Sequence, residues 1–168
     1  METSNQTYRD IELPIGVTVL TGDPSSCEEL SYYLSTIKYK GNYEFYDNLN
    51  RFYREDIDLG VRNIDLLEIG GSDNMLKPSE YRWAARKMME VSKQLNTRVL
   101  ITSNDYLLLK NLYVEAHHTD IEVDVIDVED LKDGGHFTRC NIKDGISTNS
   151  VIQESIEIYR RELEINGD

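Results

Sequence analysis

Eight consecutive residues, Gly22 to Glu29 (G-D-P-S-S-C-E-E), fall without a gap on the frame of a phosphate-cradling loop, G-x-x-x-x-G-K-[ST]. In that frame a glycine turn wraps its amides around phosphates, a lysine neutralises them and a hydroxyl holds magnesium. Of these groups only the first glycine, Gly22, is kept. Cys27 stands at the second glycine, Glu28 at the lysine and Glu29 at the hydroxyl. Glu28 turns attraction into repulsion, and Cys27 puts a side chain where backbone would have to close on the phosphates. If any nucleotide contact is left to this stretch, it falls to Gly22, Ser25 and Ser26.

The elements that would position these residues follow from the apolar pattern. Val17–Thr21 is a β-branched strand after the Pro14-Ile15-Gly16 turn, and a glycine turn and short polar loop lead from it to a helix. Ser25 or Ser26 is the expected N-cap, with Leu30, Tyr33, Leu34 and Ile37 on one face. Tyr8–Leu13 alternates loosely, as an edge strand would, and residues 1–7 read as a frayed end. Residues 42–60, rich in Tyr, Asn and Asp, predict an irregular or short helical connection. Arg62–Ile69 reads as a buried strand, Gly70–Asn74 as a loop, and Pro78-Ser79-Glu80 as the start of a helix to Leu95. Arg98–Thr102 is a second buried strand. Asn104 or Asp105 caps a helix with Leu107, Leu108, Leu112 and Val114 inward. Ile121–Val128 and Phe137–Ile142 are strands, the latter after an Asp133-Gly134-Gly135 turn. Asn149 caps a last amphipathic helix with Ile152, Ile156, Tyr159 and Leu163 inward. Alternating strands and helices predict one α/β domain over 1–168, a layered and partly parallel sheet flanked by helices.

Composition narrows the function classes. The formal net charge of -13, from 31 acidic and 18 basic side chains, repels a phosphate backbone, so direct nucleic-acid binding is not expected. Arg82, Arg86, Lys87 and Lys93 recur at helical spacing and read as a solvated face. Cys27 and Cys140 fit neither metal spacing nor a disulfide framework. His117-His118 are adjacent and cannot converge on one ion, so no metal is expected. Asp124, Asp127, Glu129 and Asp130 interleave with Ile121, Val123 and Val125 as the outward side of a strand. The tyrosines clustered over Tyr32–Tyr53 fit a cover for a thin sheet and a binding surface equally well. No apolar run is long enough to span a bilayer, and no secretory segment is apparent, which sets the expectation of a cytoplasmic protein.

Three stretches in order, V-T-V-L-T-G (Val17–Gly22), I-D-L-L-E-I-G-G-S-D-N-M-L-K-P (Ile64–Pro78) and V-L-I-T-S-N-D-Y-L-L-L-K (Val99–Lys110), resemble the bacterial ABC-type AAA ATPases. A weaker match is the tail, Asn149–Leu163. In that family the second stretch runs into D-E-P-E-x-x-L-H-P. Aligned on Leu76-Lys77-Pro78, Gly70 takes the place of the magnesium-linked aspartate and Gly71 that of the catalytic glutamate, with Ser72 at the proline and Asp73 at the second glutamate. In the third stretch Asn104 stands where the family has a phosphate-sensing histidine.

The resemblance therefore implies an ATPase-like sheet whose chemistry has been removed. ATP hydrolysis needs positive charge, a metal and a group that orients water. Glu28, Glu29, Gly70, Gly71 and Asn104 are vestigial positions, and neither catalysis nor a cofactor is expected. Between Leu30 and Asn63 there is no room for the family's long insertion, and no S-G-G-Q-like signature exists. The implied role is protein binding. An active ABC-type ATPase is the most economical partner, met as inhibitor, decoy or accessory subunit, for example in phage defence, and self-association stays open. The rival is a nucleotide sensor, or a partner-dependent ATPase, that retains weak binding.

Overall fold

A computed structural model describes residues 7–57, 63–71, 76–132, 135–146 and 150–166. Its framework is a six-stranded sheet of β1 (Gly16–Gly22), β2 (Tyr43–Tyr46), β3 (Leu66–Ile69), β4 (Arg98–Thr102), β5 (Glu122–Asp130) and β6 (His136–Asn141), in the order β2-β3-β4-β1-β5-β6. The first five strands pair in parallel and β6 runs antiparallel on β5. Parallel strands need helical crossovers, which cover both faces of the sheet. Central β1 is accordingly buried along its whole length.

Each face has its own core because side chains alternate along a strand. On one face α1 (Pro24–Tyr33) packs Cys27 and Leu30, with Leu34 just beyond, against Leu20, Leu66, Leu100, Ile126 and Val128. On the other, α2 (Leu49–Arg54), α3 (Glu80–Leu95) and α4 (Tyr106–Ala116) cover Val17, Val19, Leu67, Val99, Ile101 and Val125. The first turn of α5 (Ser150–Asn166) joins this second core through Ile152. The α/β layering, the β4 bounds and the extent of α3 to Leu95 follow the sequence expectation.

Several local expectations are corrected. Tyr8–Asp10 is a 3-10 turn, not an edge strand, and the extended chain after it buries Ile11 and Leu13 under α1. The 42–60 stretch, expected as an irregular or short helical connection, holds in its described part the short helix α2 and, beyond that expectation, the strand β2. β2 escaped notice because it sits at the sheet edge and alternates weakly. The α1 cap is Asp23, whose Oδ2 accepts the Ser26 N–H at 2.8 Å, with Pro24 at the first helical position; Ser25 and Ser26 already lie inside the helix. Leu34–Lys38 then winds as a π-helical turn, which rotates Ile37 off the expected face into solvent. Val114 and Leu163 are exposed, while Leu109 takes a core position. Residues 1–6, Ser72–Asn74, Asp133-Gly134, Asn149 and the Tyr159 side chain lie outside the described residues.

The charges expected to be solvated are largely tied down. Glu115 is only 3% exposed and accepts from Arg82 Nε at 2.9 Å and Arg86 Nε at 2.6 Å. Burial pushes its carboxyl up, but the two guanidinium hydrogen bonds prevail and hold it below the usual glutamate range. Lys87 Nζ donates to the carbonyls of Phe52 at 2.6 Å, Tyr53 at 3.1 Å and Glu55, closing the carboxyl end of α2. Asp124 and Asp127, expected to face outward, are each 8% exposed. Arg139 reaches Asp124 through Nε at 2.7 Å, and its Nη1 donates to the Glu12 carbonyl at 2.8 Å, stitching the N-terminal segment to the sheet.

Glu115 sets a stability prediction with a definite sign. Its folded pKa lies below the unfolded one, so its contribution is complete above the ordinary glutamate range and is lost as pH falls through the depressed value. Glu115→Gln is expected to cost about 1–3 kcal/mol at neutral pH. Urea titrations as a function of pH should also show the variant losing less stability than the parent chain below about pH 4.

Candidate functional site

In open α/β sheets ligands bind outside the carboxyl ends of the strands, where the crossovers part to opposite faces. Here that point lies between β1 and β4, because α1 leaves β1 over one face and α4 leaves β4 over the other. The order β3-β4-β1 therefore brings Gly70 and Gly71, Asn104 and Gly22 to neighbouring strand ends. The positions singled out in three separate stretches of sequence converge on one place.

Between β1 and β4 the crevice is laced by hydrogen bonds. The Gly22 N–H donates to Asn104 Oδ1 at 2.7 Å, and Asn104 Nδ2 donates to the Gly22 carbonyl at 3.0 Å. Just below, the Ser103 N–H donates to the Leu20 carbonyl at 2.9 Å. On the β5 side the Asp23 N–H donates to the Val128 carbonyl at 2.9 Å. Gly22 adopts φ +109°, and a Cβ there would overlap the Val128 carbonyl and lie 2.8 Å from Asp127 Oδ1. Glycine is required at this point for both reasons.

The expected polar loop is absent. Only Asp23 separates the end of β1 from the start of α1, so no stretch of backbone is left to wrap a phosphate. The Asp23 carboxylate occupies the helix N-terminus instead. Its hydrogen bonds from the Ser26 backbone, Ser26 side chain and Ser25 backbone, helped by Lys132, hold it below the usual aspartate range. Phosphate would have to displace an anion already seated on these amides. Glu28, Glu29 and Ser25 are exposed on α1, and Ser26 is buried. Cys27 is buried with its S–H directed at the Thr21 carbonyl, 3.2 Å away. Burial, then Asp127 and Asp23, push its thiol up to about 12, which leaves no nucleophilic thiolate at neutral pH.

Gly70 and Gly71 are places where backbones touch. The Gly70 N–H donates to the Tyr46 carbonyl at 2.7 Å, and a Cβ on Gly70 would overlap the Asp47 carbonyl. A Cβ on Gly71 would overlap the Thr102 carbonyl at the end of β4. A carboxylate side chain does not fit at either position without moving a neighbouring strand. Asp105 acts as the expected cap: its Oδ1 accepts the Leu107 N–H at 2.8 Å, and its Oδ2 accepts the Tyr81 hydroxyl at 2.5 Å.

Other candidates do not join this place. His117 Nδ1 lies 2.8 Å from the Tyr113 carbonyl, which selects the Nδ1–H tautomer. With His118, Arg86, Lys93 and Asp120 it borders a cleft of about 590 Å³ at the amino end of the sheet, away from the switch point. Its lining mixes both charge signs, and no group of metal ligands occurs among the described residues. Sequence reasoning found Gly22, Gly70, Gly71 and Asn104 but missed Asp23. The signal was present: Asp followed by Pro is a helix-start pattern, with the cap one residue before a proline at the first helical position. No known protein-family profile matches the chain, and it is not significantly similar to any curated protein.

Removing the Asn104 amide orphans two backbone groups, the Gly22 N–H and the Gly22 carbonyl. Asn104→Ala is expected to cost about 1–3 kcal/mol for each group that finds no water, as read by chemical denaturation. Gly71→Ala should cost about 3 kcal/mol or more through backbone overlap. A neutral result for Gly71→Ala would mean that β3 and β4 do not meet as described.

Proposed function

We propose that this chain is a catalytically inactive, ATPase-like domain that acts by binding a protein. The observation that carries the reading is the double hydrogen bond between the Asn104 side chain and the Gly22 N–H and carbonyl. It occupies the switch point of the sheet with a structural contact, where an active site would keep donors free for phosphate. Asp23 on the helix N-terminus and the backbone contacts at Gly70 and Gly71 support it from two further sides. At each of the three strand ends a group that would serve chemistry is replaced by one that serves packing.

The partner favoured by this reading is an active ABC-type ATPase. A domain with a related strand framework can occupy a surface that such an enzyme offers to its own second copy. The acidic charge of the chain suits docking beside a basic, nucleic-acid-facing groove. Inhibitor, decoy in phage defence and accessory subunit are three uses of the same contact. A cytoplasmic setting follows from that partner, and no helix among the described residues is long and apolar enough to cross a membrane.

Calorimetric titration of the isolated chain with Mg-ATP tests the loss of nucleotide chemistry. No heat of binding is expected at millimolar nucleotide. Tight binding that weakens on Ser26→Ala would sink the proposal and establish a nucleotide sensor in its place. A second titration, into a purified ABC-type ATPase dimer, should give a complex whose affinity falls with added salt.

A further inference from the structure

The two edges of the sheet are built differently. β6 presents polar and cationic side chains, His136, Thr138 and Arg139, the usual protection of a free edge. β2 has no lysine, proline or bulge, and it ends the sheet with the sequence Tyr-Glu-Phe-Tyr. Its inward bonds go to β3 from even-numbered residues: the Asn42 carbonyl accepts the Asp65 N–H and the Tyr46 carbonyl accepts the Gly70 N–H, both at 2.7 Å. In a parallel ladder the intervening residues bond the other way. The N–H and C=O groups of Tyr43 and Phe45 therefore point out of the sheet, and β2 pairs with β3 alone among the described strands.

The side chains at this edge form an apolar platform. Tyr43 and Phe45 are 41% and 49% exposed, with rings stacked at 6.5 Å between centroids and 22° between planes. The platform is fixed from beneath, since the Tyr43 hydroxyl donates to Glu68 Oε2 at 2.6 Å and Ser31 of α1 holds the other carboxylate oxygen. Tyr32 of α1 and Ile37 of its π-helical end are exposed as well, 66% and 56%. Preset aromatic rings lose little conformational freedom when covered.

We propose that the β2 edge accepts an extended segment of a partner protein as a seventh, neighbouring strand, with basic residues alternating with apolar ones. The choice of occupant comes from charge. Gly41–Asn48 carries Glu44 and Asp47 and no cation; Asp47 shares Arg51 of α2 at 3.4 Å, and Glu44 lies on the face opposite the two rings, where every second residue of an added strand would sit. A second copy of this chain would bring the same carboxylates against these, on a molecule of net charge -13, and like charges placed across strands repel. A basic strand meets opposite charge, donates and accepts at Tyr43 and Phe45, and covers the two rings. The inference rests on the reading of the chain as a protein-binding domain and not on the partner being an ATPase.

The test uses the full chain and a capped peptide, Lys-Val-Lys-Val-Lys-Val-Lys, with amide hydrogen exchange read residue by residue. Slowing of exchange at the Tyr43 and Phe45 amides by about tenfold or more is expected, and N-methylation of alternate peptide amides should weaken binding by at least about tenfold. Phe45→Pro removes an outward N–H together with one ring of the platform, at a position that tolerates proline on an edge, and should abolish binding with the fold intact by circular dichroism. Phe45→Lys serves as a second block that needs no backbone change. Protection elsewhere, equal binding of the N-methylated peptide, or equal binding with glutamate for lysine would each overturn the proposal. So would concentration-dependent protection of Tyr43 and Phe45 without peptide, which would make the occupant a second copy. Mg-ATP silence with a failed peptide test removes the edge and leaves the inactive-ATPase reading standing.

Discussion

β1 is covered on both faces and paired along both edges, so each polar group at its carboxyl end needs a partner from inside the protein. Asn104 supplies two of them at once, accepting from the N–H and donating to the carbonyl of the same residue, Gly22, across 82 residues of chain. The Val128 carbonyl accepts the next N–H, from Asp23. These contacts join β4, β1 and β5 at the point where the helices diverge. The turn into α1 depends on them, since Gly22 at φ +109° directs Asp23 to cap the helix. The same constraint determines what the site can do, because amides used to close a sheet are not available to a phosphate.

Glycine has a similar double effect at the ends of β3 and β4. At Gly70 and Gly71 the absence of a side chain lets the Asp47 and Thr102 carbonyls approach. The lack of a side chain that could serve chemistry and the two close backbone contacts are one structural fact seen from chemistry and from packing. Charge follows the same economy. In a chain with 31 acidic side chains, the buried carboxylates Glu115 and Asp124 are each met by arginine, and Glu68 by two hydroxyls. A buried charge is tolerated only when paired and hydrogen-bonded. The excess of acidic over basic side chains leaves the molecule a net charge of -13.

Helices and central strands were legible in the sequence because their periodicity is strong. Val99–Ile101 is an unbroken apolar run, and Tyr81, Ala84, Ala85, Met88 and Met89 repeat at helical spacing. β2 was not legible, since an edge strand exposed on its outer face has no clean alternation to show. Ile37 was placed inward by a 3.6-residue count that a π-helical turn does not obey. Asp124 and Arg86 looked like solvated charges because their partners, Arg139 and Glu115, lie on other elements. Hydrophobic patterning carries no information about such pairings.

The sequence by itself determined the layered α/β architecture and the placing of two carboxylates, Glu28 and Glu29, in the helix after β1, since composition and periodicity are local properties of the chain. It also marked Gly70, Gly71 and Asn104 as positions without the groups that phosphate chemistry needs. Only the tertiary structure decided that these positions meet, because strand order β3-β4-β1 is set by which apolar faces pack together. It alone decided that Asn104 holds the Gly22 N–H and carbonyl and that Asp23 fills the helix N-terminus. A hydrogen bond between residues 82 apart exists only once the sheet has closed around it.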